Sequence, residues 1–348
     1  MTIAPPELPR SDFIVPAELS AGEPPEARGL ERDEVRLLVA GRDGLQHARF
    51  DELERFLSPG DLLVVNTSAT VAAAVDGSRN NQPVTVHFSA PLDDGTWSIE
   101  LRVPDRSGPI GDAVAGEVVQ IPDGRIELLE GYPDSSSNSR LWRARVDTDV
   151  PVDAYLARHG RPISYRYIKG EWPLSYYQTV FAHDPGSAEV PSAARPFSDH
   201  LVTRLVSRGI TFAPITLHCG VSSMEAGELP LPERFEVPIS TARAVNRTVV
   251  SRGSIIAVGT TVTRALETVA EPDGLVKPGR GWTDLVVGQG EPVRVVNGLI
   301  TGWHEPHASH LLLLEAVAGA DRVQRAYDEA IANGYLWHEF GDSCFFLP

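Results

Sequence analysis

Short apolar runs dominate the chain between residues 68 and 150, and several of them alternate apolar with polar positions. The runs are VTVHF, WSIELRV, EVVQI, RIELLE and LWRARV, and glycine, proline, aspartate or serine separates most of them. Alternation with a period of two is typical of strands that bury one face. The pattern therefore predicts a small β-barrel or sandwich, with the polar stretch GYPDSSSNSR (131–140) as a turn or loop inside it.

The pattern changes on both sides of this region. GDLLVVN (60–66) has the composition of a buried strand, and from residue 151 strand-like runs alternate with helical ones. These runs are VDAYLARHG, SDHLVTRLVSRG, ITFAPITLH, STARAVNRTVVSRG and SIIAVG. Such alternation is typical of α/β proteins. We therefore expect a large mixed α/β domain formed by residues 1–67 and 151–348, with the small β-barrel domain of residues 68–150 inserted after its first strand.

The stretch IIAVGTTVTRALET (255–268) joins an apolar strand to a helix through one glycine and two threonines. The first turn of a helix presents free backbone N–H groups and the positive end of its dipole, which favours an anion. Gly259, Thr260, Thr261 and Arg264 are thus candidates to bind a carboxylate or phosphate. The alternative is that a threonine only caps the helix. The motifs of a nucleoside-triphosphate loop and of an ordinary dinucleotide site are absent from the sequence.

Two histidines follow apolar runs and precede glycine or proline. They are His218 in TLHCG and His304 in LITGWHEPHASH. Open α/β sheets place ligand-contacting groups after their strands, so both histidines are candidates for acid or base catalysis. A core histidine bonded to a carbonyl is the alternative for each. GWTDLVVGQG and FGDSCFF add Trp282, Asp284 and Asp342 near turns.

Composition limits the class of protein. The chain has 348 residues, of which 42% are hydrophobic and 22% are charged, as in ordinary globular proteins. Two cysteines, Cys219 and Cys344, are too few for a disulfide framework. The sequence has neither zinc-ligand spacing nor an apolar run long enough to span a membrane. We therefore expect a cytoplasmic protein with no metal and no membrane partner.

The formal net charge of −16 argues against general attraction to nucleic acid, which depends on lysine and arginine contacts to phosphates. A local basic surface remains possible in RHGRPISYRYIKGEW (158–172). Three cations alternate there with aromatic residues, namely Arg161, Arg166 and Lys169 with Tyr165, Tyr167 and Trp172. This mixture suits stacking on bases or ligand capture, and a solvated loop is the alternative.

Taken in order, these stretches resemble a known family, the S-adenosylmethionine:tRNA ribosyltransferase-isomerases of queuosine synthesis. The matching segments are DF at residue 12 with Pro16, PGDLLVVN, YYQTVFAHDPGSAEVPSA, TLHCG, AVGTTVTRALE, GWTDL, VVNGLITGWHEP and FGD. The resemblance implies a small β-barrel between the two halves of an α/β domain. It also implies that S-adenosylmethionine is a substrate and that no metal is required.

The resemblance further implies an unusual reaction. The sulfonium acidifies the ribose C5′ hydrogens, a base removes one, adenine leaves, and the amine of 7-aminomethyl-7-deazaguanine in tRNA attacks C1′. Methionine departs as an epoxycyclopentanediol forms. We expect proton transfer by His218, His304 and Asp342. We expect substrate binding by Gly259, Thr260, Thr261, Arg264, Tyr177, Gln178, Trp282, Trp303 and Asn66.

The sequence departs from the family pattern mainly at polar and cationic positions. NTSATVAAA has Ala69 and Ala74 where the family has basic residues, and PSAARPF has Pro196 where it has histidine and Ala194 where it has glycine. VSSMEAGELPLPERFEV retains only Glu236 of an expected His-x-Glu. Lost cations weaken phosphate binding. Three functions therefore remain open: tRNA modification, use of S-adenosylmethionine with a small acceptor or its cleavage, and nucleoside binding without catalysis.

Overall fold

The computed structural model describes residues 8–135, 139–221, 228–288 and 293–348. Parts of GYPDSSSNSR, VSSMEAGELPLPERFEV and GWTDLVVGQG lie outside the described residues. The helices are α1 Val152–His159, α2 Asp199–Ser207, α3 Ile239–Val250, α4 Thr260–Thr268, α5 His310–Ala318 and α6 Ala320–Ala332. Of the described helices, none combines the length and apolarity needed to cross a bilayer.

Nine of the strands form one mixed sheet, in the spatial order β15-β13-β12-β3-β14-β16-β17-β1-β2. The first three of these in the chain are β1 Arg36–Ala40, β2 Leu45–Arg49 and β3 Leu62–Asn66. The others are β12 Thr211–Leu217, β13 Glu233–Val237, β14 Ile255–Val258, β15 Gly279–Thr283, β16 Gly298–Thr301 and β17 Ser343–Phe346. Strands β12, β3, β14 and β16 are parallel to one another.

The central strands are buried on both faces. Every residue of β3, β14 and β16 is buried, which explains why their sequences are continuous apolar runs. Alternate residues point to two different cores: Leu62 and Val64 pack beneath helices α3 to α6, whereas Leu63 and Val65 pack against α2 and the short helix Phe50–Phe56. The predicted mixed α/β architecture is confirmed.

The predicted β-rich region is a closed six-stranded antiparallel barrel, in the order β10-β7-β6-β5-β8-β9. Its strands are β5 Ala74–Arg79, β6 Gln82–Pro91, β7 Trp97–Arg102, β8 Val118–Ile121, β9 Gly124–Tyr132 and β10 Leu141–Thr148. Each of the five predicted runs lies in one of these strands. The remaining strands, β4 Ser68–Thr70 and β11 Asp184–Ser187, form a separate parallel pair. Thus the first barrel strand begins at Ala74, after β4.

Two strands precede β3, although the sequence analysis assigned none before it. Strand β1 lies next to one edge of the sheet and is parallel to β17 from the end of the chain. Strand β2 is a polar edge strand, LQHAR, in which no residue is buried. Its polarity explains why the hydrophobic pattern did not reveal it. The barrel therefore follows the third strand of the sheet in the chain.

Candidate active site

A cavity of about 240 Å³ lies at the carboxyl ends of β14 and β16. Open α/β sheets place ligands in this position. One wall carries residues from the two strand ends and the helices that follow, namely Gly259, Thr260, Thr261, Arg264, Trp303, His304, Ser309 and His310. Another part of the wall carries Tyr165, Tyr167, Tyr177, Glu189, His338 and Glu339. The structure thus brings seven of the twelve predicted site residues together: Gly259, Thr260, Thr261, Arg264, Tyr177, Trp303 and His304.

The amino end of α4 opens onto this cavity. Gly259 is the N-cap residue, with φ of 103° and ψ of 156°, a conformation that favours glycine. A side chain at Gly259 would also place its Cβ 3.4 Å from the Cβ of Ala193. Because Gly259 is the N-cap, Thr260 and Thr261 lie inside the first turn, and neither is the capping residue. The backbone N–H groups of that turn are therefore available to an anion.

A second helix also begins at the cavity. Helix α5 starts at His310, and its N-cap Ser309 makes no capping hydrogen bond. The Oγ of Ser309 and the Nε1 of Trp303 are buried polar atoms with no hydrogen-bond partner among the described residues. An unsatisfied buried donor costs about 1–3 kcal/mol. Two helix ends and two unpaired side-chain donors thus face a cavity that an anionic or polar ligand would complete.

Arg264 lies in the cavity wall, but its guanidinium is already bound to the protein. It forms an ion pair with Glu233 and donates to the carbonyl oxygens of Leu285 at 3.1 Å, Leu231 at 3.0 Å and Thr283 at 3.2 Å. Burial raises the pKa of Glu233, and the nearby Arg264 opposes that shift. Among the described residues that line the cavity, Arg264 is the single arginine or lysine. Its bonds fasten α4 to β13.

Three half-buried histidines lie around the cavity. The rings of His304 and His310 stack with centroids 4.6 Å apart, and His304 Nε2 is 3.0 Å from the Thr301 hydroxyl. Burial lowers the pKa of His304 well below its usual value and that of His310 to about 4. His338 stacks on Tyr167 at 3.8 Å, and burial lowers its pKa to about 4. At neutral pH all three rings are uncharged, and a neutral imidazole is able to accept a proton.

An acid with a raised pKa faces these histidines. Glu339 accepts a hydrogen bond of 2.8 Å from the Tyr167 hydroxyl, and burial raises the pKa of its carboxyl group to about 7. On the same wall the Tyr165 hydroxyl donates to Glu189. A carboxyl group with a pKa near neutrality is suited to general acid catalysis. The cavity therefore holds neutral bases and an acid that is partly protonated at pH 7.

Two of the predicted proton-transfer residues lie outside the cavity lining. His218 Nδ1 is 2.7 Å from the Ser68 hydroxyl, beneath the β4–β11 pair. Asp342 accepts hydrogen bonds from the backbone N–H groups of Arg36 and Leu336, each at 2.8 Å, and from the Arg36 guanidinium at 2.9 and 3.1 Å. Because its carboxylate is 5% exposed and fully engaged, Asp342 holds β1 to the loop before β17.

Three predicted substrate-binding residues also lie outside the cavity lining and make internal bonds. Asn66 bonds both backbone groups of Leu217, at 2.8 and 3.0 Å, and so joins the ends of β3 and β12. Gln178 bonds both backbone groups of Thr70, at 3.1 and 2.8 Å. Trp282 donates at 2.9 Å to Asp93, which follows barrel strand β6. These residues hold the walls around the cavity in place.

The sequence analysis missed several residues of the cavity. Glu339 lies three positions before Asp342, so the matched FGD segment was one residue too short to include it. On β13 the analysis selected Glu236, which is exposed, whereas Glu233 lines the cavity. Residues separated by three positions face opposite sides of a strand, so strand periodicity distinguishes the two glutamates once β13 is known. In the described parts of the chain no group of three or more candidate ligands is arranged to hold a metal ion.

Fold and site together define a class of protein: an α/β protein with an inserted barrel, whose cavity is lined by two helix amino ends, three histidines and a glutamate with a raised pKa. A family model described as queuosine biosynthesis protein matches residues 8–346. The chain belongs to this family.

Curated relatives and a solved structure agree with this assignment. The S-adenosylmethionine:tRNA ribosyltransferase-isomerase of Acidiphilium cryptum is 34% identical over 352 residues, covering 95% of this chain and 96% of the relative. The protein of the same name from Acaryochloris marina is 34% identical, covering 97% and 92% of the two chains. The crystal structure of S-adenosylmethionine tRNA ribosyltransferase from Thermotoga maritima superposes with a TM-score of 0.53 at 27% identity, covering 97% of this chain and 99% of that one.

Proposed function

We propose that this protein is an S-adenosylmethionine-dependent ribosyltransferase-isomerase that acts on 7-aminomethyl-7-deazaguanine in tRNA. Relatives of that name match nearly the whole chain at 34% identity. The observation that carries the proposal is the open amino end of α4, which faces a cavity lined by half-buried, neutral histidines. This cavity offers an anion site and a base within one water-poor space, as the proposed reaction requires.

The methionine carboxylate of the donor is assigned to the first turn of α4. An anion there would accept hydrogen bonds from the backbone N–H groups of Thr260 and Thr261 and would lie at the positive end of the helix dipole. Thr260 is 8% exposed. The unpaired donors of Trp303 and Ser309 are assigned to polar atoms of the same ligand. Since Arg264 is bound to Glu233, this site holds its anion with neutral donors, namely the backbone N–H groups and the threonine hydroxyls of the first turn.

Proton transfer is assigned to His304 and Glu339. Neutral His304 is the proposed base that removes a C5′ hydrogen acidified by the sulfonium, and the stacked His310 ring holds it in position. Glu339, with a pKa of about 7, is the proposed proton donor to the departing adenine. The acceptor amine then bonds to C1′ and gives up a proton, the C1′–O4′ bond breaks, and the deprotonated C5′ bonds to C1′ to close the cyclopentane ring. The freed O4′ displaces methionine from C5′, which closes the epoxide. These steps are proton transfers and bond exchanges, and the proposal includes no metal or redox group.

The acceptor in the proposal is tRNA, and we place the reaction in the cytoplasm, where tRNA is found. The test is a product analysis in which the protein is incubated with S-adenosylmethionine alone, with tRNA that carries the deazaguanine base, and with tRNA that carries guanine. We expect release of adenine and methionine only with the tRNA that carries the deazaguanine base. Release without it would instead show cleavage of S-adenosylmethionine. Binding without any release would show a protein that is not an enzyme.

A further inference from the structure

A second, smaller pocket lies on the side of the barrel. Its volume is about 10 Å³, which accommodates about one oxygen atom and excludes an entire small molecule. The lining comes from barrel strands β5, β6 and β7, from the turn after β7 and from the segment that follows α1. It consists of Ala74, Thr85, His87, Arg102, Val103, Arg106, Arg161, Pro162 and Ser164.

Three arginines converge on this pocket, and two of their three carboxylate partners are solvated. Arg161 contacts Asp76 at 2.8 Å, and the Asp76 side chain is 70% exposed. Arg106 lies 4.0 Å from Glu171, whose side chain is 80% exposed. Exposed ion pairs of this kind are weak and screened by salt. The pocket is therefore locally cationic in a chain whose formal net charge is −16.

The third arginine has a buried partner and still presents an unused donor. Arg102 Nη1 bonds Glu100 at 3.1 Å, and Arg140 bonds the same carboxylate at 2.6 Å. The Nε of Arg102 is buried and has no hydrogen-bond partner among the residues that the structure describes, whereas the Nδ1 of His87 lies 3.4 Å from the Glu100 carboxylate. Arg102 is 6% exposed and His87 is 3% exposed. An unpaired guanidinium N–H beside two arginines with exposed carboxylate partners favours an anionic oxygen as its partner.

The small pocket adjoins the large cavity. Pro162 lines both of them. The ring of Tyr165 separates them: the Arg102 guanidinium lies 5.1 Å from its centroid and the His87 ring 6.3 Å away, while Tyr165 itself lines the cavity. A polymer with one unit in the cavity is thus able to place a neighbouring group at the small pocket.

We propose that this small pocket binds one oxygen of a backbone phosphate of the RNA acceptor, with the rest of the phosphate outside the pocket. The inference rests on the proposed function, because a phosphate beside the reacting unit requires a nucleic-acid acceptor. Arginines are the preferred partners of phosphate oxygens, and phosphate contacts position a nucleic acid without reading its bases. Ala74 lies in this pocket where the family pattern has a basic residue, and its backbone pairs with that of Arg161 at 2.9 Å. The three arginines supply the positive charge that alanine lacks.

The test compares full-length Arg106→Ala and Arg161→Ala with a control, Arg145→Ala, which removes an arginine paired with Glu127 on the outside of the barrel. Binding of tRNA is measured by fluorescence anisotropy over a range of salt concentrations, and binding of S-adenosylmethionine by calorimetry. We expect each pocket variant to lose about tenfold in tRNA affinity and about one unit of the log–log salt slope. Affinity for S-adenosylmethionine should be unchanged in the pocket variants. The control should keep the wild-type tRNA affinity, salt slope and affinity for S-adenosylmethionine.

Two further results separate the outcomes. Arg106→Lys should keep the wild-type salt slope, because lysine retains the positive charge. This variant also distinguishes loss of the charge from misfolding caused by substitution at position 106. Unchanged tRNA affinity in both alanine variants, with a wild-type protein that still modifies tRNA, would overturn the phosphate site alone. Weakened binding of S-adenosylmethionine would assign the pocket to the donor and also overturn it. Adenine release by the wild-type protein without tRNA would instead overturn the proposed function.

Discussion

His304 and His310 stack with 4.6 Å between their ring centroids and 6° between their planes, beside the open end of α4. Both residues are half-buried, and the pKa of each is lowered chiefly by the loss of solvation. The positive charge of neighbouring His310 would lower the pKa of His304 further. The pair therefore remains neutral at physiological pH and gives the cavity an accessible base.

Replacing His304 separates the catalytic histidine from a structural one. His304→Gln should lower turnover by about 10²-fold because the proposed base is lost. His218→Gln is the matched control, since His218 also follows a strand but lies outside the cavity lining. We expect the control to retain most of its turnover in an adenine-release assay. The opposite ranking of the two variants would remove His304 from its proposed role.

The anion site at α4 predicts weaker donor binding when a hydroxyl of its first turn is lost. Thr261→Ala should reduce affinity for S-adenosylmethionine by about 1 kcal/mol, the value of one hydrogen bond. Thr203→Ala is a suitable control because Thr203 lies on α2, where its hydroxyl bonds a backbone carbonyl at 2.8 Å. Calorimetry measures both variants. Equal affinities in the two would argue against a ligand at the α4 end.

The proposed role of Glu339 predicts a pH dependence of turnover. A proton donor must be protonated, and the pKa of Glu339 is raised to about 7. Turnover should therefore fall as the pH rises through about 7. Glu339→Gln should be slower and should lack this alkaline decline. If the variant keeps the same profile as the wild type, another group is the donor.

Stability should fall in mild acid because of the buried histidines. In the unfolded chain His310 takes up a proton near its usual pKa of 6.5, whereas the folded chain resists protonation down to about 4. The unfolded state thus binds more protons between these values, and the free energy of unfolding decreases as the pH falls from 6.5 to 4. The decrease from His310 is on the order of 3 kcal/mol. Denaturant unfolding of His310→Asn should show a smaller decrease than the wild type.

Asp342 should matter for stability rather than for chemistry. Asp342→Asn replaces a buried carboxylate that accepts bonds from Arg36 and from two backbone N–H groups, and it should cost about 3 kcal/mol. Asp147→Asn removes an exposed carboxylate and should cost less than about 1 kcal/mol. Urea unfolding measures the difference. Turnover per folded molecule should be similar in both, and a selective loss in Asp342→Asn would instead support a catalytic role.

Some features could be predicted from sequence because they depend on local patterns. Short, partly alternating apolar runs located five of the six barrel strands, all except β5, and the junction at Gly259 indicated a helix end that faces a cavity. Other features depend on distant parts of the chain. Whether Asp342 faces the cavity or Arg36 is decided by the pairing of β17 with β1, which lie about three hundred positions apart in the sequence. Likewise, the pKa of Glu339 follows from burial, which its own neighbours in sequence do not reveal.

The three arginines of the small pocket likewise come from separate parts of the chain. The sequence analysis grouped Arg161, Arg166 and Lys169 because they are close in sequence. The structure groups Arg161 with Arg102 and Arg106, which come from the barrel. Only the closed barrel brings these three arginine side chains together, so their position beside Ala74 was not visible in the sequence.

The most direct test of the account is the fate of the ribose carbons. The protein is incubated with S-adenosylmethionine labelled with ¹³C in the ribose and with tRNA carrying 7-aminomethyl-7-deazaguanine, and the tRNA nucleosides are analysed by mass spectrometry. We predict that all five labelled carbons appear on the deazaguanine nucleoside, with adenine and methionine released in equal amounts. Adenine and methionine released while the tRNA stays unlabelled would contradict the account.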